Sequence, residues 1–404
     1  MGRRSRLAPV ALAEIELSRA PDSLEGLGPA VAVEALVRRA GEPVGWVRLP
    51  VLDGRCPAAE IRAALDGLAL PPERPSAPAP LPSVTVAVCT RDRPDELATC
   101  LDSLERVEYQ ELEILVVDNA PSSEASRLLV ERRGGRVRYV REPRPGLDWA
   151  RNRAIAEARG EVIAFTDDDV AVDPAWIGAL VAAFAGDETV AAVTGLVLPA
   201  ELETEAQVLF ERYRSFGRGF AARRVAPKSG APLARRWGAA GDYGTGANMA
   251  FRRSVFGRIG GFDPALGAGT PTRGGDDLEM FFRVLKEGYA LVYEPRALVR
   301  HRHRRSLETL RGQIADHGVS FSCYVVRNAL AYPDERLGFA RLACWWWAKL
   351  AFRVLWPRSS PAGALRRLSL AELRGCLVGL GRYPRATRAA ARLATFPLES
   401  ETRA

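Results

Sequence analysis

From Val84 onward, short apolar runs alternate with segments whose apolar positions recur at helical spacing. Residues 84–89 form a run suited to a buried parallel strand, and 94–104 follow with Leu97, Leu101 and Leu104 on one helical face. The unit recurs, with strands predicted at 113–117, 136–140 and 162–165 and helices near 123–132 and 147–158. This alternation predicts a mainly parallel, doubly wound α/β sheet, whose sites lie beyond the C-terminal strand ends. After a further run at 190–198 the alternation stops, and the Arg-rich stretch 200–245 predicts one helix and mobile loops. Helical spacing returns through Leu278, Phe281, Phe282 and Leu285, with Gly288 placed to stop the helix.

On either side of this core the pattern changes. Residues 30–37 and 44–51 are β-rich runs around a turn at Gly41 and Pro43, and 58–68 has helical spacing, so 1–70 reads as a small α+β module. Residues 71–82 are a Pro-rich, semi-rigid linker. An α/β domain over 83–305 and a basic helical region over 306–404 complete the organisation. In that last region a Trp-rich amphipathic segment, 342–356, is interrupted by Lys349 and Arg353, and 362–394 reads as further basic helices.

Composition narrows the class. With 404 residues, 47% hydrophobic and 26% charged, the chain has enough apolar content to bury a large core, which excludes collagen-like and disordered readings. Its six cysteines make no metal or CxxC spacing, which fits a reducing, cytoplasmic setting. No uninterrupted apolar run reaches spanning length, and the N-terminal segment lacks a signal-peptide core, so neither export nor a membrane span is expected. The net charge of +8 is uneven: from Arg296 onward 20 basic residues face 7 acidic ones. A basic C-terminal region implies an anionic partner, and peripheral contact with the inner face of a membrane is the expectation. Nucleic-acid stacking motifs are absent, so no nucleic-acid partner is expected.

The strongest chemical signal is Thr166-Asp167-Asp168-Asp169, directly after a predicted strand. Adjacent carboxylates repel, and hard oxygen ligands suit Mg²⁺ or Mn²⁺ bridged to a diphosphate; a solvated acidic turn is the plain alternative. Asp118-Asn119 and Thr90-Arg91-Asp92-Arg93 end two further strands, where a carboxylate can meet a base or ribose and arginines can meet phosphate, although Asp118-Asn119 also suits an Asx turn. Arg151 and Asn152 lie in a predicted helix beside Trp149. Asp276 and Asp277 precede the amphipathic helix, where carboxylates also serve as N-caps. His301 and His303 alternate in a strand-like run, which places them on one face.

Taken together, VTVAVCTRDRP, LVVDNA, GLDWARNRAI, GEVIAFTDDDV, GTGANMAFRR and GGDDLEMFFRVLKEGY resemble, in order and spacing, a family 2 glycosyltransferase with the GT-A fold over about 84–300. The resemblance implies that Thr90, Arg91, Arg93, Asp118, Asn119, Arg151, Asn152 and Asp168 serve the nucleotide-sugar donor, with Gly246 and Asn248 bordering the sugar. It further implies an Asp167-x-Asp169 metal element with His301 as a third ligand, and Asp277, next to Asp276, as the catalytic base. An inverting, metal-dependent hexosyltransferase acting on a glycan or lipid-linked acceptor follows. Two rivals stay open: a sugar-nucleotide nucleotidyltransferase, although CTRDRP lacks that class's glycine-rich loop, and a membrane-binding scaffold with an inactive transferase domain.

Overall fold

The computed structural model describes residues 7–72, 81–227, 240–356 and 362–395. The proline-rich tract at 73–80 lies outside the described residues, as does 228–239 of the Arg-rich stretch. At the N-terminal end, β1 (Val10–Glu16) runs parallel to β3 (Ala32–Arg39), which turns into antiparallel β4 (Glu42–Pro50). Short strands β2 (Ser23–Leu24) and β5 (Cys56–Pro57) pair beside them, and α1 (Ala58–Asp66) closes the layer through Ile61. The hairpin and helix match the sequence pattern; β1 does not, because Glu14 and Glu16 interrupt its apolar run. Those two acids are used, Glu14 by Arg38 at 2.7 Å and Glu16 by the turn amides of Ala40 and Gly41.

The central sheet is built from β6 (Val84–Thr90), β7 (Leu112–Asn119), β8 (Val137–Glu142), β9 (Val162–Asp167), β10 (Val170–Val172), β11 (Val190–Pro199), β12 (Arg223–Val225), β13 (Asn248–Arg252) and β14 (Ala290–His301). Its order is β10-β14-β11-β13-β9-β6-β7-β8, with β12 added along β14. Strands β6, β7, β8 and β9 are parallel, whereas β13 runs against both β9 and β11, so the sheet is mixed. The four parallel strands end together, at Thr90, Asn119, Glu142 and Asp167. Their apolar runs are buried on both faces by α2 (Pro94–Leu104), α3 (Ala125–Arg133) and α4 (Leu147–Glu157), as expected for parallel strands joined by helical crossovers. Helix α5 (Trp176–Ala182) begins two residues after Pro174: the Asp173 side chain accepts from the Ala175 amide and bridges to Arg38, holding a turn ahead of the helix.

The second half supplies α6 (Glu205–Arg214), opened by a Thr204/Gln207 capping box, and α7 (Asp276–Lys286), whose Met280, Phe281, Phe282, Val284 and Leu285 are buried. Gly288 ends α7 with φ +92°, and its amide bonds back to Leu285. The C-terminal region is helical: α8 (Leu307–Ala331), α9 (Arg336–Leu355), α10 (Ala362–Gly379) and α11 (Tyr383–Ala394). The Trp-rich segment is thus the second part of a longer helix, α9. No described helix is long and apolar enough to cross a membrane.

Helices α8 and α10 meet backbone to backbone, which explains the small residues along both. A Cβ on Gly318 would lie 2.1 Å from the Glu372 carbonyl oxygen, and one on Gly375 would lie 2.0 Å from that of Ala315. Neither neighbour is a flexible side-chain end, so the helices would have to separate. Gly375→Leu is expected to destabilise the protein by about 1–3 kcal/mol or more through this overpacking, while Gly381→Ala, which has open space around it, should be close to neutral. Thermal unfolding of both variants checks this, and an unchanged melting temperature for Gly375→Leu would refute the close approach.

Candidate active site

The parallel strand ends bring the sequence-predicted acids and arginines to one place because β6 lies between β7 and β9. Thr90, last in β6, donates its hydroxyl to Asp168 at 2.8 Å. Arg93, in the turn before α2, spans the triplet, bonding Asp168 at 2.5 Å and Asp169 at 3.0 Å. Burial, opposed by Arg93, pushes the Asp168 carboxyl up to about 7. Burial and the repelling Asp169 push Asp167 up to about 6. Burial would raise Asp169 as well, yet the facing His301 and Arg93 outweigh it and hold this carboxyl below the usual range. Burial keeps His301 neutral down to about pH 4, so Arg93 carries that effect at neutral pH. Asp168 therefore locks the two strand ends together and leaves Asp167 and Asp169 to face the cavity.

Asp167, Asp169 and His301 each offer a ligand atom, all within 4.8 Å of one another. The His301 ring presents Nε2 to Asp169 at 3.4 Å and Nδ1 to His303 Nδ1 at 3.2 Å. His303 Nε2 in turn meets Glu211 on α6 at 2.6 Å. Two acids and an imidazole anchored from behind by a histidine and a carboxylate form a donor set that fits a divalent cation. The strand-like run ends at His301, so the two rings meet across the turn that follows β14.

Across the cavity, α7 starts at Gly275, whose φ of +94° favours glycine. A Cβ at this position would also lie 2.9 Å from the Ser320 carbonyl oxygen, so no side chain is admitted. Gly275 is the N-cap residue, so Asp276 and Asp277 occupy the first helical positions and not the cap itself. Their environments differ. Asp276 is buried and ion-paired with Arg151, which also lies 3.5 Å from the buried Asp148. Asp277 lines the cavity, accepting from the Gly246 amide at 2.9 Å and the Leu278 amide at 2.8 Å. A Cβ on Gly246 would sit 2.7 Å from the Arg151 guanidinium, so a side chain there would displace that group.

Residues 85–260 match the family model of Glycosyl transferase family 2. This segment belongs to that family. The chain is 27% identical over 276 residues to the pre-mycofactocin glycosyltransferase of Mycobacterium tuberculosis, covering 68% of this chain and 53% of that protein. It is 25% identical to the glucosyl-dolichyl phosphate glucuronosyltransferase of Haloferax volcanii, covering 54% of this chain and 69% of the other. The chain thus spans about half the length of its mycobacterial relative. Among solved structures, the mannosyltransferase PcManGT from Pyrobaculum calidifontis, in complex with GDP-Man and Mn²⁺, aligns with a TM-score of 0.51 at 20% identity. That alignment covers 77% of this chain and 90% of the other, and it shows the shared GT-A fold.

The cavity holds about 710 Å³. Thr90, Arg91, Arg93, Asn119, Arg151, Asp167, Asp168, Asp169, Gly246, Asp276, Asp277 and His301 line it, so most of the sequence-predicted set converges. Three of that set stand behind its wall. Asn248 is fully buried, accepting from the Trp176 indole and donating to the Leu196 and Ala297 carbonyls. Asn152 clamps the Phe262 backbone at both its amide and its carbonyl. Asp118, paired in register with Thr90, is covered and accepts from the Tyr139 hydroxyl at 3.1 Å. Asn119 lines the cavity but spends its amide on the Arg144 carbonyl and the Gly146 amide. Sequence reasoning missed the far wall, where Thr309, Gln313, Asp316, His317 and Ser320 of α8 line the cavity. Their spacing puts them on one helical face, and that polar stripe was the available signal.

Burial holds the Asp118 carboxyl up, at about 6, against the Tyr139 hydrogen bond. A carboxyl raised in the folded state binds its proton more tightly there, so its contribution to stability is lost as pH climbs from about 4 through 6. Asp118→Asn removes this loss. The melting temperature of the variant relative to the parent should therefore rise between about pH 4.5 and about pH 7.5. A difference that stays constant over that range would show that Asp118 does not titrate in this way.

Proposed function

We propose that the chain transfers a sugar from a nucleotide diphosphate donor to a hydroxyl of a glycan or lipid-linked acceptor near a membrane, with inversion at the anomeric carbon. The observation that carries this reading is the position of Asp277. It is a cavity-lining carboxylate held by two backbone amides, and it lines the same cavity as the Asp167, Asp169 and His301 cluster. In-line displacement needs one base on the face opposite the leaving group, and in this reading Asp277 takes the acceptor proton. Its neighbour Asp276 is held by Arg151 and serves to fix that guanidinium under Gly246.

On the donor side, Thr90 and Arg93 hold Asp168, while Arg91, half exposed at the cavity edge, is available to phosphate. Asp167, Asp169 and His301 would hold Mg²⁺ or Mn²⁺, which when bound neutralises charge on the leaving diphosphate. The Mn²⁺ and GDP-Man named for the Pyrobaculum enzyme support this donor class. The polar face of α8 forms the acceptor wall, its hydroxyl, amide and imidazole groups suited to sugar hydroxyls.

Asp277→Asn should bind donor as tightly as the parent while losing about 10²- to 10⁴-fold in turnover, the usual contribution of a general base. Asp276→Asn should be milder. Steady-state release of nucleoside diphosphate, beside donor affinity by calorimetry, separates the two, and a larger turnover loss for Asp276→Asn would exchange their roles. Asp169→Asn is expected to abolish the dependence of donor affinity on added Mn²⁺, because it removes a charged ligand atom. Wild-type metal dependence in that variant would remove the metal assignment.

A further inference from the structure

The four tryptophans of α9 and its end divide between two environments. Trp346 and Trp347 pack inward against the cluster of Phe321, Tyr324, Phe339 and Cys376. Trp345 and Trp356 face outward, 54% and 58% exposed, together with Leu337 (62%), Phe352 (43%) and Leu355 (64%). The exposed Arg341, Cys344 and Ala348 fill the positions between them, so the outward stripe runs along the whole helix at spacings of three and four. Phe352 and Trp356 stack at 5.5 Å, and the Lys349 ammonium sits 4.9 Å from the Trp345 ring. Leu337, Trp345, Leu355 and Trp356 each leave more than half of their surface exposed. A soluble surface rarely shows so continuous an apolar face.

We propose that the outward face of α9 is a docking surface for an anionic membrane, on which the helix lies in the plane of the interface. Three observations select this occupant. Indole and phenyl rings bounded by Arg341 and Lys349 are the composition that settles at the headgroup boundary. The surrounding helices are basic, with exposed Arg366, Arg367 and Arg374 on α10 and Arg385, Arg388 and Arg392 on α11, which complements anionic lipid. No described helix suits a span, so the face lies on the bilayer instead of entering it as a crossing segment. The inward side of the same helix reaches the active site. Trp346 packs on Phe321 at 5.3 Å and lies under Arg214 at 5.1 Å, and both partners line the cavity. A bilayer held on the outer face is therefore about one helix diameter, roughly 10 Å, from the acceptor side. This deepens the membrane-proximal part of the proposed function, yet the contact itself does not depend on sugar transfer.

Vesicle flotation of the whole chain tests it, with phosphatidylglycerol/phosphatidylethanolamine vesicles against phosphatidylcholine vesicles at low and high salt. The parent should float with the anionic vesicles and bind at least tenfold more weakly to neutral ones or at high salt. The Trp345→Ser/Leu355→Ser/Trp356→Ser variant should lose at least tenfold in partitioning while keeping its melting temperature and donor affinity. Arg341→Glu, which leaves the apolar groups in place, should weaken binding several-fold at low salt only. A parent that does not float, or a triple variant that floats like the parent, overturns the proposal. So does a stripe that proves to join two copies of the chain, seen as a parent dimer that the triple variant converts to monomer. Nucleoside diphosphate release measured without vesicles keeps the two readings apart: flotation without any turnover sinks the transferase and leaves the docking face, whereas turnover without flotation does the reverse.

Discussion

Arg93 is the contact on which the candidate site depends. Three consecutive carboxylates at the end of β9 would repel one another and favour water, but one guanidinium from the neighbouring strand turn binds two of them. With Thr90 on the other oxygen of Asp168, the ends of β6 and β9 are tied by three hydrogen bonds. The planar fork of arginine suits this bridging, and lysine would satisfy only one carboxylate at a time. The strand order follows from the same requirement. Only with β6 beside β9 does the turn after β6 reach the acids, and the parallel pairing of these strands, Val88 opposite Thr166, sets that reach.

β14 completes the arrangement from the other side. It runs parallel to β11 and pairs antiparallel with β10, placing His301 opposite Val170 immediately after the acid triplet. The Arg302 amide then bonds to the Asp169 carbonyl at 3.1 Å, so the imidazole and the carboxylate it faces are joined through the backbone as well. Glu211 and His303 continue the chain to α6, whose capping box fixes where that helix begins. The N-terminal layer braces the same strand, since Arg300 is ion-paired with Glu14 and Arg296 with Glu42. The small module is therefore a support for β14, with Leu36 packed against Leu196, Leu198 and Leu298.

The alternating core was legible because parallel strands buried on both faces are uniformly apolar, and their polar ends stand out against that background. Thr90, Arg93 and the triplet could be recognised for that reason. Asn248 and Asn152 could not be told from ligand-binding residues, because an amide that satisfies buried backbone groups looks the same in sequence as one that meets a substrate. The difference lies in partners such as Trp176 and Phe262, which are brought up by tertiary packing alone. β1 escaped notice because its Glu14 answers Arg38 and Arg300, the latter 286 residues away, while Glu16 answers the turn amides of Ala40 and Gly41. The split among the tryptophans was hidden for a related reason: adjacent helical residues point about 100° apart, and only the packing of α9 shows which face is covered.

The same rotation explains how two neighbouring aspartates come to differ. At the start of α7 the helix dipole favours both carboxylates equally, so position along the chain does not distinguish them. Asp276 points to Arg151, a cation itself buried against Asp148 and the Phe262 ring, and its charge is consumed in that pairing. Asp277 is turned toward the cavity and, among the described residues, accepts from two backbone amides, which orient its oxygens. The two neighbours thus differ in what holds them, backbone amides for Asp277 and a guanidinium for Asp276. Gly246 makes both conditions possible at once: its amide reaches Asp277, and its missing side chain leaves the space that Arg151 occupies.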